Sequence, residues 1–446
     1  MRSYVPNTEK ERLEMLAEIG MQSMDELFSD IPEDLKLHRE LELPPALSEK
    51  ELREDIHSLV FLNEEGGPVF RGAGAYRHYI PSVVPQLAMR SEFYTAYTPY
   101  QAEMSQGMLQ SLFEYQSVIC RLTGLDAANA SVYDGATAAA EAMLMLRDNK
   151  RKKKILYAAS LHPDVKAVMH TYAHCAGLEL VEIPMTDKGT ADVDAIAANM
   201  EGAAGYIGAT PNYYGCIEPM DAIAEAVHAK GGLLVAYVNP ITLGVLKRPA
   251  DYGADIAIGD GQPLGLPLSY GGPYVGFMAA TKKLMRNLPG RIAGETRDAE
   301  GNRVYVLTLQ AREQHIRREM ASSNICSNQM LCAILASMYC CVMGPAGMRE
   351  VGEQNIAKAH LLAKKLGEIE GVTLRYPETP FFNEFVVDLP HADEVNAALA
   401  NYSVAGGLVL PDGGMLWCAT EMNNTEDYDF ICDIIADTLD PMGGEE

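Results

Sequence analysis

The sequence predicts an α/β fold: a seven-stranded, mainly parallel sheet with helices on both faces, preceded by a helical arm and followed by a small α+β unit. Three observations carry this. From about residue 66 to 280, short apolar runs alternate with stretches of helical spacing, the order that builds a parallel sheet. Runs such as Leu233–Val238 are apolar without interruption, as strands covered on both faces are. Before and after this region the texture is different, so the expected domains are 1–65, 66–344 and 345–446.

The arm holds three candidate capping boxes, Thr8/Glu11, Ser23/Glu26 and Ser48/Glu51. In each, a hydroxyl can accept from a first-turn amide while the glutamate reaches back to the cap. Pro32 and Pro44–Pro45 separate the segments into short helices. The expected strands of the large sheet are Ala130–Tyr133, Ile155–Ala159, Leu178–Ile183, Gly205–Ala209, Leu233–Val238, Asp255–Ile258 and Tyr274–Met278. Helices are expected at Ala136–Leu146, Pro163–Cys175, Asp192–Met200 and Met220–Lys230. Residues 281–344 read as helix and loop, ending in a buried helix, Leu331–Met343, closed by Gly344–Pro345. That helix alone falls short of the roughly 20 residues a bilayer span needs. Beyond it come a helix at Met348–Glu370, strands at Val372–Tyr376, Asn383–Asp388 and Met415–Cys418, and helices at Asp393–Asn401 and Asp427–Leu439. The tail Gly443–Glu446 reads as disordered.

A chain of 446 residues, 48% apolar, can bury a large core. Its net charge of −25 disfavours phosphate backbones and anionic membranes as partners. The nine cysteines include no C-x-x-C pair, and the chain opens without an apolar leader. Both features suit reduced thiols and a cytoplasmic protein. His170 and His174 share a helix face but lack the glutamate of H-E-x-x-H, so no metal is expected. Gly72-Ala73-Gly74 lacks the third glycine of a dinucleotide fingerprint. The basic cluster Lys150–Lys154 is too short and isolated for a nucleic-acid site.

A large α/β domain with a small C-terminal α+β unit is common among pyridoxal phosphate enzymes, though not confined to them. Such an enzyme needs a helix N-terminus for the phosphate, an acid beside the pyridine nitrogen and a lysine that holds the cofactor covalently. The phosphate candidate is Asp134-Gly135-Ala136-Thr137, where a strand turns into an alanine-rich helix. Asp134 also suits simple capping of that helix, and its carboxylate competes with a phosphate for the same amides. At the end of Leu233–Val238 the acid is replaced by Asn239, which carries no charge. Between Asp255 and Gly272, where the lysine belongs, there is none; Gln262-Pro263 stands there instead. No other side chain supplies the primary amine.

Two loop-like runs are dense in Tyr, Pro and Gly: Phe70–Pro81, with Arg77 and His78, and Tyr94–Gly107, with Tyr97, Tyr100 and Gln101. Tyrosine suits interfaces and pocket walls. Gly72–Pro81, Tyr97–Gly107, Thr210–Gly215, Gly271–Pro273, Gln310–Arg318, Ala321–Cys326 and the opening Tyr4–Glu9 together resemble the glycine decarboxylase family, the P-protein of the glycine cleavage system. These strings run in order along most of the chain.

The resemblance implies a pyridoxal-phosphate-transferase-like (fold type I) architecture. In this family one long chain of two homologous halves, or two separate subunits, makes the enzyme, and the second half carries the lysine. A chain without it resembles the first half standing alone. The resemblance then implies pairing with a beta subunit as alpha2beta2, decarboxylation of glycine on pyridoxal phosphate held by the partner, and transfer of the aminomethyl group to lipoyl H-protein. This chain's own pocket (Asp134, Gly135, Ala136, Thr137, Asn239, Gln262) would be vestigial. Tyr97, Tyr100 and Gln101, then Arg77 and His78, are the residues expected to reach the partner's site. Two alternatives are a self-sufficient enzyme using Lys247 or Lys282, and a non-enzymatic scaffold.

Overall fold

The structure, a computed structural model, describes residues 6–63, 66–321 and 323–440. The expected disordered tail, and parts of the Tyr4–Glu9 and Ala321–Cys326 strings, lie outside those residues. The chain divides into two units, Met1–Glu64 and Glu65–Glu446.

In the first unit, two of the three capping boxes form. Thr8 Oγ1 and Ser48 Oγ accept from Glu11 and Glu51 amides, and each glutamate accepts in return, starting the helices Glu9–Glu18 and Glu49–Val60. The Ser23 box does not form. Its segment is a five-residue 3₁₀ turn, Met24–Phe28, and Glu26 instead takes the amide of Gln22 at 3.1 Å.

The second unit is built on a seven-stranded sheet: β1 (Ala127–Ala128), β2 (Lys154–Ala158), β3 (Glu179–Ile183), β4 (Ala203–Thr210), β5 (Leu233–Val238), β6 (Ile256–Asp260) and β7 (Gly276–Ala280). Their order is β1-β7-β6-β5-β4-β2-β3, parallel from β6 to β3 and antiparallel at β7 and β1. Residues of β4 and β5 are buried almost throughout, so their apolar runs are those of strands sandwiched between helices. The first strand is displaced from expectation. Ala127–Ala128 pairs with β7, whereas Val132 makes only an isolated bridge to Gly276, because the backbone turns at Ser131 (φ +151°).

Three further corrections concern elements outside that sheet. Residues 281–344 hold a β-hairpin, β8 (Ile292–Arg297) with β9 (Arg303–Thr308). Asp298 accepts the amides of Glu300 and Asn302 and so shapes its turn. The end of the loop-like run Tyr94–Gly107 opens an eighteen-residue helix, Gln106–Thr123, to which the sequence reading assigned no element and whose Leu109, Leu112, Gln116 and Ile119 face is buried. The two C-terminal helices expected around Gly344–Pro345 form one element, Met330–Leu366, broken at Gly344 (φ 60°, ψ −178°). By length and composition this helix could cross a membrane, although its Ala333, Ala336, Tyr339 and Val351 pack into the core of the second unit.

The C-terminal region forms an antiparallel sheet of β10 (Thr373–Leu374), β11 (Glu384–Asp388), β12 (Leu408–Val409) and β13 (Met415–Cys418), in the order β10-β11-β13-β12. Helices Ala392–Ala400 and Asp427–Leu439 cover it around Trp417, Phe385 and Tyr428.

Candidate functional site

A cavity of about 260 Å³ lies at the C-terminal ends of β4, β5 and β6, walled by Ala209, Tyr237, Asn239 and Asp260, with Asp134 and Ala136 at a helix start. Open parallel sheets bind ligands at this position. Four of the expected pocket residues are therefore close together: Asp134, Gly135, Ala136 and Asn239.

The helix N-terminus is already supplied with anions. Asp134 caps the helix Gly135–Lys150, its Oδ1 accepting the Thr137 amide at 2.7 Å. The Gly135 amide donates to Asp260 Oδ2 at 3.0 Å, and Asp260 Oδ1 accepts the Gln262 amide at 2.8 Å. Burial pushes the Asp260 carboxyl up to about 6; these amides oppose the shift and the neighbouring Asp134 charge adds to it. A Cβ added at Gly135 would meet the Tyr237 hydroxyl at 2.2 Å, so glycine is what lets the phenol approach the helix start. Two carboxylates and a phenol thus stand where a phosphate would need free amides.

The other two requirements are also unmet. Asn239 Oδ1 accepts the Ile241 amide at 3.0 Å and caps the turn Pro240–Gly244. Gln262, 1% exposed, is not among the residues lining the cavity. Its Nε2 donates to the carbonyls of Tyr76 and Leu266, and its Oε1 accepts the Tyr76 amide, all at 2.9 Å. Among the described residues no lysine lines the cavity. Lys247 is ion-paired with Asp221, and Lys282 follows β7, its backbone amide bonded to Asp126. The residues present do not fit pyridoxal phosphate held covalently on this chain.

Gly72–Pro81 is a strap across the second unit. Besides Gln262, it is held by Glu384 at the start of β11, whose carboxylate accepts from the Tyr76 hydroxyl and the Ala73 amide, both at 2.6 Å. Burial pushes the Glu384 carboxyl up to about 7, against the opposing effect of those two bonds. Further along, His78 is buried, Nδ1 lying 2.9 Å from Glu421 Oε2, while the Arg77 side chain is exposed. Glu384 was missed from sequence; the available signal was a lone acid inside the apolar run Phe381–Val387. His170 bonds the Tyr157 hydroxyl at 3.1 Å, and no cluster with metal-binding geometry occurs among the described residues.

Tyr97 and Tyr100 lie in the loop before helix Gln106–Thr123, 80% and 58% exposed, and Gln101 beside them is exposed. Tyr100 is fixed from beneath by Arg291, which sequence reasoning also missed: Nη2 donates to the phenol oxygen at 2.9 Å, with the guanidinium carbon 4.9 Å from the ring centroid.

Residues 2–431 match the family model for the glycine cleavage system P-protein. A protein of Desulforamulus reducens called probable glycine dehydrogenase (decarboxylating) subunit 1 is 49% identical over 96% of this chain and 98% of its own. One of the same name from Moorella thermoacetica is 48% identical over 96% and 98%. A crystal structure of glycine decarboxylase (P-protein) in inhibitor-bound form superposes with a TM-score of 0.89, at 41% identity, over 98% of this chain and 100% of that one. A Burkholderia pseudomallei sphingosine-1-phosphate lyase shares the fold at TM-score 0.67 and 14% identity, over 91% and 93%. The chain belongs to the glycine cleavage system P-protein family.

Proposed function

We propose that this chain works as subunit 1 of a two-subunit glycine decarboxylase, and that it contributes to catalysis by completing an active site on the partner. The observation that supports this division of labour is the cavity just described: it has no lysine, an asparagine in place of the acid, and carboxylates at the helix start that would receive a phosphate. The name subunit 1, carried by relatives of nearly equal length, calls for a subunit 2. On this reading the partner holds pyridoxal phosphate, the assembly is alpha2beta2 and cytoplasmic, and lipoyl H-protein takes the aminomethyl group. The bound cofactor supplies the electron sink for loss of carbon dioxide from glycine.

This chain's residues bind and orient. Tyr97, Tyr100 and Gln101 are exposed on one loop and present phenols and an amide to the partner's site, with Arg77 as a further exposed contributor. His78, paired with Glu421, positions the strap between Arg77 and Tyr79. The division 1–65, 66–344 and 345–446 assigns these contributions to the middle part. The test is reconstitution from both purified chains followed by glycine–bicarbonate exchange. Replacing Tyr97 and Tyr100 by Phe and Gln101 by Ala is expected to lower turnover by roughly tenfold or more, the cost of losing charge-assisted or transition-state hydrogen bonds. Unchanged turnover removes the proposal.

A further inference from the structure

Arg291 is 3% exposed, yet its guanidinium makes one hydrogen bond among the described residues, to Tyr100. Arg312 reaches the backbone beside it, donating from Nη2 to the Gly290 carbonyl at 2.7 Å, while its Nε is buried with no partner among the described residues. Neither guanidinium has a described carboxylate within 4.0 Å. Glu313, whose carboxyl feels the charge of both arginines, is buried; among the described residues it pairs only with His315 at 3.7 Å and its Oε1 has no partner. Burial raises its carboxyl and lowers Arg312, each partly offset by the other's charge. One carboxylate at a distance cannot satisfy two guanidiniums, and buried donors without acceptors are rare.

Structural arginines are buried with a bidentate acceptor, because five planar donors demand one. Here the acceptor at hand is a phenol on an exposed loop, a neutral oxygen that an anion would outcompete. We infer that Tyr100, Arg291 and Arg312 form an oxyanion-binding element that receives the carboxylate of the substrate or the phosphate of the cofactor in the two-subunit enzyme. This rests on the reading that the Tyr100 loop faces the partner's site. Arg291 and Arg312 supply the charge, and Tyr100 holds the place of the anion until it arrives.

The test uses the reconstituted enzyme with Arg291→Met and Arg291→Lys, measuring the glycine KM by exchange and the pyridoxal phosphate Kd by absorbance titration. Arg291→Met is expected to raise one of the two by roughly tenfold or more, with partial recovery in Arg291→Lys. A change in KM identifies the carboxylate, and a change in Kd the phosphate. Both constants at wild-type values, with or without weaker subunit association, overturn the inference. If the triple replacement on the Tyr100 loop lowers turnover while both constants hold, only this element falls; if that replacement is silent, the underlying reading falls. Should Arg291→Met fail to fold, the intact chain decides. Titration with inorganic phosphate or acetate is expected to give a saturable tyrosine difference spectrum as the phenol leaves Arg291, absent in Tyr100→Phe. No such spectrum overturns the inference.

Discussion

Gln262 makes three hydrogen bonds to backbone groups of two separate segments. A lysine at this position would lose the acceptor for the Tyr76 amide, so the brace and the covalent anchor are mutually exclusive at one residue. Gln262→Ala leaves an amide and two carbonyls unsatisfied in the interior and is expected to cost about 1–3 kcal/mol, read as a lower urea midpoint. Glu384 gives a pH signature. Its folded pKa of about 7 lies above its unfolded value of about 4.3, so the folded state holds the proton more tightly. That contribution is present below the unfolded pKa and is lost as pH rises through about 7. Urea unfolding at pH 5 and pH 7.5 should show wild type losing more stability between the two than Glu384→Gln; equal losses would contradict the assignment. At this scale the sequence was legible where chemistry was missing: the absent lysine and Asn239 needed no coordinates. Arg291 and Glu384 were not legible, because each acts on residues far away in the chain.

Among the elements, β2 to β7 lie where the short apolar runs placed them, most cleanly β5 from Leu233 to Val238, least cleanly β3, which Glu179 and Glu182 interrupt. The hairpin β8–β9 escaped the sequence reading because its strands are partly exposed and charged, which masks the period-two alternation. The helix Gln106–Thr123 escaped because the tyrosine-rich loop before it obscured its start. The long helix shows the reverse: helical spacing was evident on both sides of Gly344–Pro345, but not that the halves join end to end. Gly344 sits at φ 60°, ψ −178° with open space where a Cβ would lie. Gly344→Ala therefore tests backbone strain alone, and a loss of about 1–3 kcal/mol in thermal or urea unfolding is expected. No loss would mean the break relaxes into regular helix.

For the molecule as a whole, the fold type I architecture comes with a cavity that lacks three groups pyridoxal phosphate would need here: a lysine, an acid at Asn239 and free amides at the helix start. Carboxylates at the helix start repel what the fold's usual ligand offers there. The same chain exposes a tyrosine loop backed by the buried Arg291. The proposed division of labour rests on both features, and under it activity is a property of the assembly. The most direct measurement is borohydride reduction of the reconstituted two-chain enzyme with pyridoxal phosphate, followed by peptide mapping. The pyridoxyl group is expected on a lysine of the partner alone, with no exchange activity from this chain by itself. A pyridoxyl-lysine peptide from this chain, at Lys247, Lys282 or elsewhere, would contradict the account.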